Sequence, residues 1–226
     1  PFPSYGMEIG DADGDGNPEI FLLEERRIHA YRMDGDAQLK PIGSMELPAS
    51  QFTLSIRSIE LNWEGRKTLI VNAKNEDEDL ITRLITFDGK NFKEIGRTNG
   101  VYVNVVNMPP LYQPQLVVQR SNPPHLFQPG VFEARINRGK IEIGGKLNLP
   151  QDFKVFNFSY IPPGNDPSDA AKIVMLDDDE SLWLYSEKGA RMHAMDEKFS
   201  GSKQGSYVDT AIRGMGKETN ATGTTQ

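Results

Sequence analysis

The feature that most constrains the fold is a repeat of about 50 residues along the chain. A strand candidate, a two-residue turn ending in glycine and a second strand candidate occur four times, and the turn glycines are 54, 50 and 50 residues apart. The four turns are Asp34-Gly35, Asp88-Gly89, Arg138-Gly139 and Lys188-Gly189. The spacing therefore predicts one small structural unit that is used four times.

Each hairpin follows a short apolar run, and a further strand candidate lies upstream of that run. The runs are Ile20–Leu23, Leu69–Val71, Leu116–Val118 and Ile173–Leu176. Short apolar runs between turn signals are typical of strands buried on both faces. With about four strands in each unit and no apolar spacing of a long helix, the sequence predicts an all-β fold, a β-propeller of four-stranded antiparallel blades.

The blades are predicted at about residues 5–50, 51–99, 100–150 and 151–200. Residues 201–226 are polar and rich in Gly, Ser and Thr, so we expect a loosely held tail or the start of a fifth blade. Propellers contain about four to eight blades, so four blades and the start of a fifth are also consistent with an incomplete copy of a larger ring. A pair of β-sandwiches is the alternative, although sandwiches seldom repeat a four-stranded unit so regularly.

Composition excludes several classes of function. The net charge of −7 and the scattered Lys and Arg residues argue against a nucleic-acid partner. The absence of cysteine excludes disulfides, thiolate zinc sites and a cysteine nucleophile. No apolar run approaches the length that spans a bilayer, so direct membrane insertion is not expected. Residues 1–10 lack the pattern of a signal peptide, which is expected of a mature protein or an excised domain.

The strongest local motif is an acidic connection between the first two strand candidates. Carboxylates occupy its positions 1, 3, 5 and 9, and Gly14 and Gly16 allow a tight curl. Carboxylates at this density repel one another unless a cation lies between them, and calcium accepts six to eight oxygens in irregular geometry. The predicted calcium ligands are Asp11, Asp13, Asp15, Asn17 through its backbone carbonyl, and Glu19. A solvated acidic turn without an ion is the alternative.

The motif differs from an EF-hand, which needs a Glu at position 12 and a helix on each side, whereas position 12 here is Leu22 in an apolar run. Asp-x-Asp-x-Asp-Gly-x-x-Glu between two strands resembles the calcium loop of FG-GAP or VCBS repeats, the blades of integrin-α-like propellers. The resemblance implies that the same five residues hold Ca²⁺, with Glu19 where the family typically has Asp.

The acidic motif weakens in the later units. A shift of 49 residues aligns Ile20 with Leu69. The positions of Asp11, Asp13, Asp15 and Gly16 are then taken by Glu60, Asn62, Glu64 and Gly65, and the position of Glu19 is taken by Thr68. Glu side chains overfill a loop suited to Asp, so we expect a related turn that has lost its ion. The third unit has no acid at this place, and the fourth offers only Asp166 and Asp169 in a longer loop.

These observations predict a non-catalytic, extracytoplasmic, calcium-binding module that binds another protein or a cell-surface component. Two other functions remain open. One, implied by the resemblance, is the propeller domain of a secreted enzyme such as a polysaccharide lyase or a phospholipase; the other is an architectural subunit of a larger surface assembly. The sequence contains no Gly-x-Ser-x-Gly elbow, phosphate-binding Walker loop or His-Glu-x-x-His motif.

Overall fold

A computed structural model describes residues 4–61, 65–77, 79–122, 127–164, 170–177 and 181–198 of the chain. The described residues form sixteen β-strands. In chain order these are β1 Gly6–Gly10, β2 Glu19–Leu23, β3 Arg27–Met33, β4 Leu39–Glu46, β5 Gln51–Glu60, β6 Lys67–Asn75, β7 Leu80–Phe87, β8 Phe92–Asn99, β9 Val101–Met108, β10 Gln113–Arg120, β11 Phe132–Asn137, β12 Lys140–Lys146, β13 Phe158–Ile161, β14 Lys172–Leu176, β15 Ser181–Ser186 and β16 Arg191–Lys198. In this part of the chain we find no helix long and apolar enough to cross a membrane.

The strands form four separate antiparallel sheets, each with four strands in sequence order, which we number as blades one to four. In every blade the third and fourth strands are joined by the predicted glycine-containing turn. The first strands of consecutive blades contact one another, β1 with β5, β5 with β9 and β9 with β13. The predicted all-β architecture of four-stranded propeller blades is therefore confirmed.

Three buried apolar clusters lie between consecutive blades. Leu69 and Val71 of β6 pack against blade one, whereas Ile70 packs against blade three. This alternation explains why the apolar runs in the sequence are uninterrupted, since successive residues of a strand point to opposite faces. The third cluster joins blades three and four, and none of these clusters joins blade four to blade one. The described residues thus form an open row of blades, and the predicted start of a fifth blade, 201–226, lies outside them.

Buried amide side chains also connect successive blades. Asn72 is 0% exposed; its Nδ2 donates to the carbonyl of Val103 (2.7 Å), and its Oδ1 accepts from the Val103 N–H (2.9 Å). One blade further on, Val155 is held in the same way: its carbonyl accepts from Asn104 (2.9 Å) and its N–H donates to Gln119 (2.9 Å). Each amide satisfies backbone groups of the next blade that lie outside the sheet ladders.

The first strand of the fourth blade begins later than the sequence predicts, although all four strands lie within residues 151–200. The sequence predicts a strand over 154–160, whereas β13 begins only at Phe158. The cause is Asn157, whose Oδ1 accepts from the Lys154 N–H (2.8 Å) while its Nδ2 donates to the carbonyl of Leu176 (2.9 Å). These bonds hold residues 154–157 in a turn, because an Asn side chain competes with the ladder for backbone groups.

Candidate metal centre

The acidic connection joins β1 to β2, and its first three acids converge. One carboxylate oxygen from each of Asp11, Asp13 and Asp15 lies within 4.8 Å of the other two. Asp11 organises the curl, since its Oδ1 accepts from the Gly14 N–H (2.7 Å) and its Oδ2 from the Gly16 N–H (2.8 Å). Both glycines have positive φ, +79° and +88°, a region that L side chains rarely adopt. The glycines therefore permit the convergence that the sequence predicts.

The acids after Asp11 continue the same hydrogen-bonding pattern. Asp13 Oδ1 accepts from the Asp15 N–H (3.1 Å), and Asp15 Oδ1 accepts from the Asn17 N–H (2.8 Å). The hydrogen bond from the Asn17 N–H is the main reason why the pKa of Asp15 lies below its usual value. Asn17 itself is exposed at the end of the loop. This hydrogen bond therefore favours the carboxylate form of Asp15, which is the form that attracts a cation.

Glu19 lies beside this triad and is fully buried at the start of β2. Its Oε2 accepts from the Ala12 N–H (2.9 Å), and its Oε1 accepts from Nη2 of Arg32. Both oxygens of Glu19 are therefore engaged by groups of the protein itself. A buried carboxylate needs such partners, because desolvation penalises an isolated charge.

Arg32, which the sequence reasoning did not single out, is the cation of this site. Its Nη2 lies 2.9 Å from Asp13 Oδ2 and its Nη1 lies 3.1 Å from Asp15 Oδ2. Hydrogen bonds to Glu19 and then to Asp13 raise the pKa of the Arg32 guanidinium above its usual value. The signal that could have found it is register: β2 pairs Ile20 with Tyr31, so the next pair outward is Glu19 with Arg32.

Arg32 neutralises only part of the acidic charge. Asp11, Asp13, Asp15 and Glu19 carry four negative charges, and one guanidinium leaves an excess of three. The guanidinium of Arg32 therefore relieves part of the repulsion for which the sequence predicted a metal ion. At an effective dielectric constant of about 20, like charges about 4 Å apart still repel by about 4 kcal/mol.

Residues of blade two contact the acidic connection. A Cβ at Gly89, in the turn between β7 and β8, would lie 2.5 Å from Asp13 Oδ2, so a side chain there would displace the Asp13 carboxylate. The Lys67 N–H donates to the carbonyl of Asp11 (2.9 Å). The candidate site is therefore held at a junction between two blades.

The second unit repeats this geometry in part. Glu60 Oε1 accepts from the Gly65 N–H (3.1 Å), as Asp11 does from Gly16, and Gly65 has the same positive φ, +74°. Register places Thr68 opposite Thr86, so two threonines stand where the first blade has Glu19 and Arg32. Asn62, Glu64, Asp166 and Asp169 lie outside the described residues.

Together these features define an all-β protein of propeller-type blades with an acidic connection at its first blade junction. No protein-family model matches the chain, and no curated protein matches it in sequence. The resemblance to FG-GAP or VCBS repeats therefore stays a prediction.

Among solved structures, the chain is similar to Sqt1 from Saccharomyces cerevisiae, with 10% sequence identity and a TM-score of 0.43. The match covers 85% of this chain and 47% of Sqt1, so the chain spans about half the length of that protein. At this TM-score we draw no conclusion about function from Sqt1.

Proposed function

We propose that the acidic connection binds Ca²⁺ between Asp11, Asp13 and Asp15, with the backbone carbonyl of Asn17 as a further ligand. The observation that carries the proposal is the 4.8 Å limit on the spacing of the three carboxylates. Oxygens that share one calcium at about 2.3 to 2.6 Å lie at most about 5 Å apart. Three excess negative charges and hard oxygen donors favour a divalent cation of this type.

Glu19 and Arg32 have a supporting role in this proposal. Both oxygens of Glu19 are engaged by Ala12 and Arg32, so Glu19 holds the loop in place through its hydrogen bond with the Ala12 N–H. It enters the calcium shell only where Arg32 releases it. The sequence-based ligand set of five residues thus separates into a converging triad, an exposed carbonyl donor and a buried acid with its own counterion.

We propose further that the protein is a non-catalytic module and that the loops at its blade ends bind another protein or a cell-surface component. The ion would stiffen the first blade junction, because a ligand that binds only the native state stabilises it. Calcium sites of extracellular modules have dissociation constants of about 10⁻⁴ to 10⁻³ M and fill only where calcium is abundant. This favours an extracytoplasmic location.

Thermal unfolding in calcium and in EDTA tests the calcium site. We expect the melting temperature to rise with calcium, by an amount equivalent to about 2.7 kcal/mol at a hundredfold excess over the dissociation constant. Asp13→Ala should abolish the rise. Asp36→Ala is the matched control, since Asp36 is an exposed acid of the neighbouring turn outside the triad. An equal melting temperature of the unaltered protein in calcium and in EDTA would refute the proposal.

A further inference from the structure

The second blade has a cavity of about 520 Å³ at the place where the first blade has its buried ion pair. Thr68 and Thr86, which occupy the positions of Glu19 and Arg32, both line it. A threonine side chain is shorter than glutamate or arginine by several atoms, so the exchange of both partners leaves unfilled space between the strand ends. Ala12 of the acidic connection forms part of the wall.

The charge of this place is inverted relative to the first blade. Arg66, Lys67 and Lys93 line the cavity, and none of the three forms an ion pair with a carboxylate of the described residues. Unpaired cations grouped at a concave surface attract an anion.

The one acid in the described lining is Asp88, and it is committed to its own turn. Its Oδ1 accepts from the N–H groups of Asn91 (2.6 Å) and Lys90 (3.0 Å). The same backbone donors, Asn91 before Lys90, lower the pKa of Asp88. Asp88 therefore stabilises its own turn and forms no ion pair with the three cations of the cavity.

Two of the cations are held in position by the first blade. A Cβ at Gly14 would lie 2.7 Å from Cγ of Arg66, and a Cβ at Gly10 would lie 2.6 Å from Cδ of Lys67. The aliphatic parts of both side chains thus cross glycines of the neighbouring blade at close range. This packing of the aliphatic parts restricts the charged ends. It therefore lowers the entropic cost of ordering these side chains when an anion binds.

Aromatic and aliphatic side chains complete the lining. Phe87 and Phe92, whose ring centroids are 4.6 Å apart, line the cavity together with Leu61. We infer that this cavity binds a small carboxylate, with the charged group at Arg66, Lys67 and Lys93 and a ring against the aromatic wall. Ligand sites generally combine such an apolar wall with a few polar groups that orient the ligand. This inference concerns a second site and stands whether or not the acidic connection binds calcium.

Titration of the protein with benzoate and with benzamide tests the inference, because the two probes share a shape and differ in charge. We expect benzoate to bind at least tenfold more tightly than benzamide in isothermal titration calorimetry at low salt. Glucuronate, titrated in parallel, distinguishes a sugar acid from an aromatic acid. Arg66→Gln with Lys93→Gln should weaken benzoate binding at least tenfold, and both residues are exposed, so the fold should persist.

The control variant, Lys140→Gln with Lys188→Gln, removes the same charge from exposed positions in other blades. It should leave benzoate affinity within twofold of the unaltered protein. Repeating the titration with protein freed of metal on a chelating resin separates this site from the calcium site, and we expect no change. Equal or undetectable binding of the acid probes and benzamide, or an equal loss in the control variant, would overturn the inference.

Discussion

Charge at the first blade junction is shared between Arg32 and the ion that we propose. Arg32 contacts Asp13, Asp15 and Glu19, whereas the carboxylate of Asp11 accepts hydrogen bonds from the N–H groups of Gly14 and Gly16. The guanidinium side chain is 31% exposed and Glu19 is 0% exposed, so the pair lies between solvent and core. A metal would therefore approach from the Asp11 side and leave Glu19 with Arg32.

Arg32→Gln separates the two cations experimentally. Without calcium the variant should be destabilised by up to about 3 kcal/mol, because Glu19 remains buried without a charged partner. Its calcium affinity should rise at least tenfold, since a positive charge near the triad is removed. Denaturant unfolding in EDTA and calorimetric titration with calcium check the two effects, and unchanged or weaker calcium binding would contradict the account.

Gly89→Ala probes the contact between the blade-two turn and Asp13. A Cβ there meets Asp13 Oδ2 at 2.5 Å and the residue has φ of +90°, so we expect both a strained backbone and a displaced ligand. The positive φ alone should cost about 1 to 3 kcal/mol. Gly65→Ala is the control, with a φ of +74° and no atom within 4 Å of the added Cβ. Calcium titration should show weaker binding only for Gly89→Ala; equal effects would show that the contact is unimportant.

At the scale of strands and turns, buried amides set the spacing between blades. Asn72 contacts both polar backbone groups of Val103, and it also receives the Thr82 hydroxyl (2.8 Å) and donates to Ser55 (2.9 Å). Every polar atom of this amide is thus paired in a fully buried position. Blades two and three are therefore joined by hydrogen bonds as well as by apolar packing.

Asn72→Ala should destabilise the protein by about 3 kcal/mol or more. The substitution leaves the Val103 N–H and carbonyl buried without partners, and each such group costs about 1 to 3 kcal/mol. Asn137→Ala is the comparison, since its single bond to Glu142 (2.7 Å) is exposed and should contribute under about 1 kcal/mol. Urea unfolding measures both; similar losses would mean that the inter-blade amide has no special role.

The strands and turns were largely predictable from the sequence because their signals are local. Apolar runs, glycine turns and the period near 50 residues depend on neighbours along the chain, and they gave the four blades. Arg32, Asn72 and the cavity depend on which residues meet across strands or blades. Hairpin register, which pairs Glu19 with Arg32 and Thr68 with Thr86, could have indicated Arg32 and the cavity beforehand. The contact of Asn72 with Val103 joins two blades, and no pattern within a hairpin predicts it.

At the scale of the whole molecule, the ionised loop acids predict loss of stability in acid. The pKa of Asp34 is lowered first by the Lys40 side chain, and those of Asp15 and Asp88 by backbone N–H groups. A carboxyl group whose folded pKa is below its unfolded value, about 3.8 for Asp, adds stability that is present above that value and lost as pH falls through the folded pKa.

We therefore expect these groups to leave the melting temperature in EDTA nearly constant with pH near neutrality. The melting temperature should decrease as the pH is lowered below about 4. Calcium binding should weaken in the same range, because protons compete for the carboxylates. Melting curves from pH 3 to 7 with and without calcium provide the measurement. Asp15→Asn with Asp88→Asn should flatten the acid limb; an unchanged slope would exclude these acids as its source.

The central claim is that a divalent ion lies between the first three acids of the chain. A crystal structure of protein grown with calcium, with anomalous data collected at long wavelength, tests it most directly. The account predicts an anomalous peak about 2.3 to 2.6 Å from carboxylate oxygens of Asp11, Asp13 and Asp15. The absence of any peak, with the Arg32 guanidinium filling the centre of the three carboxylates, would contradict it.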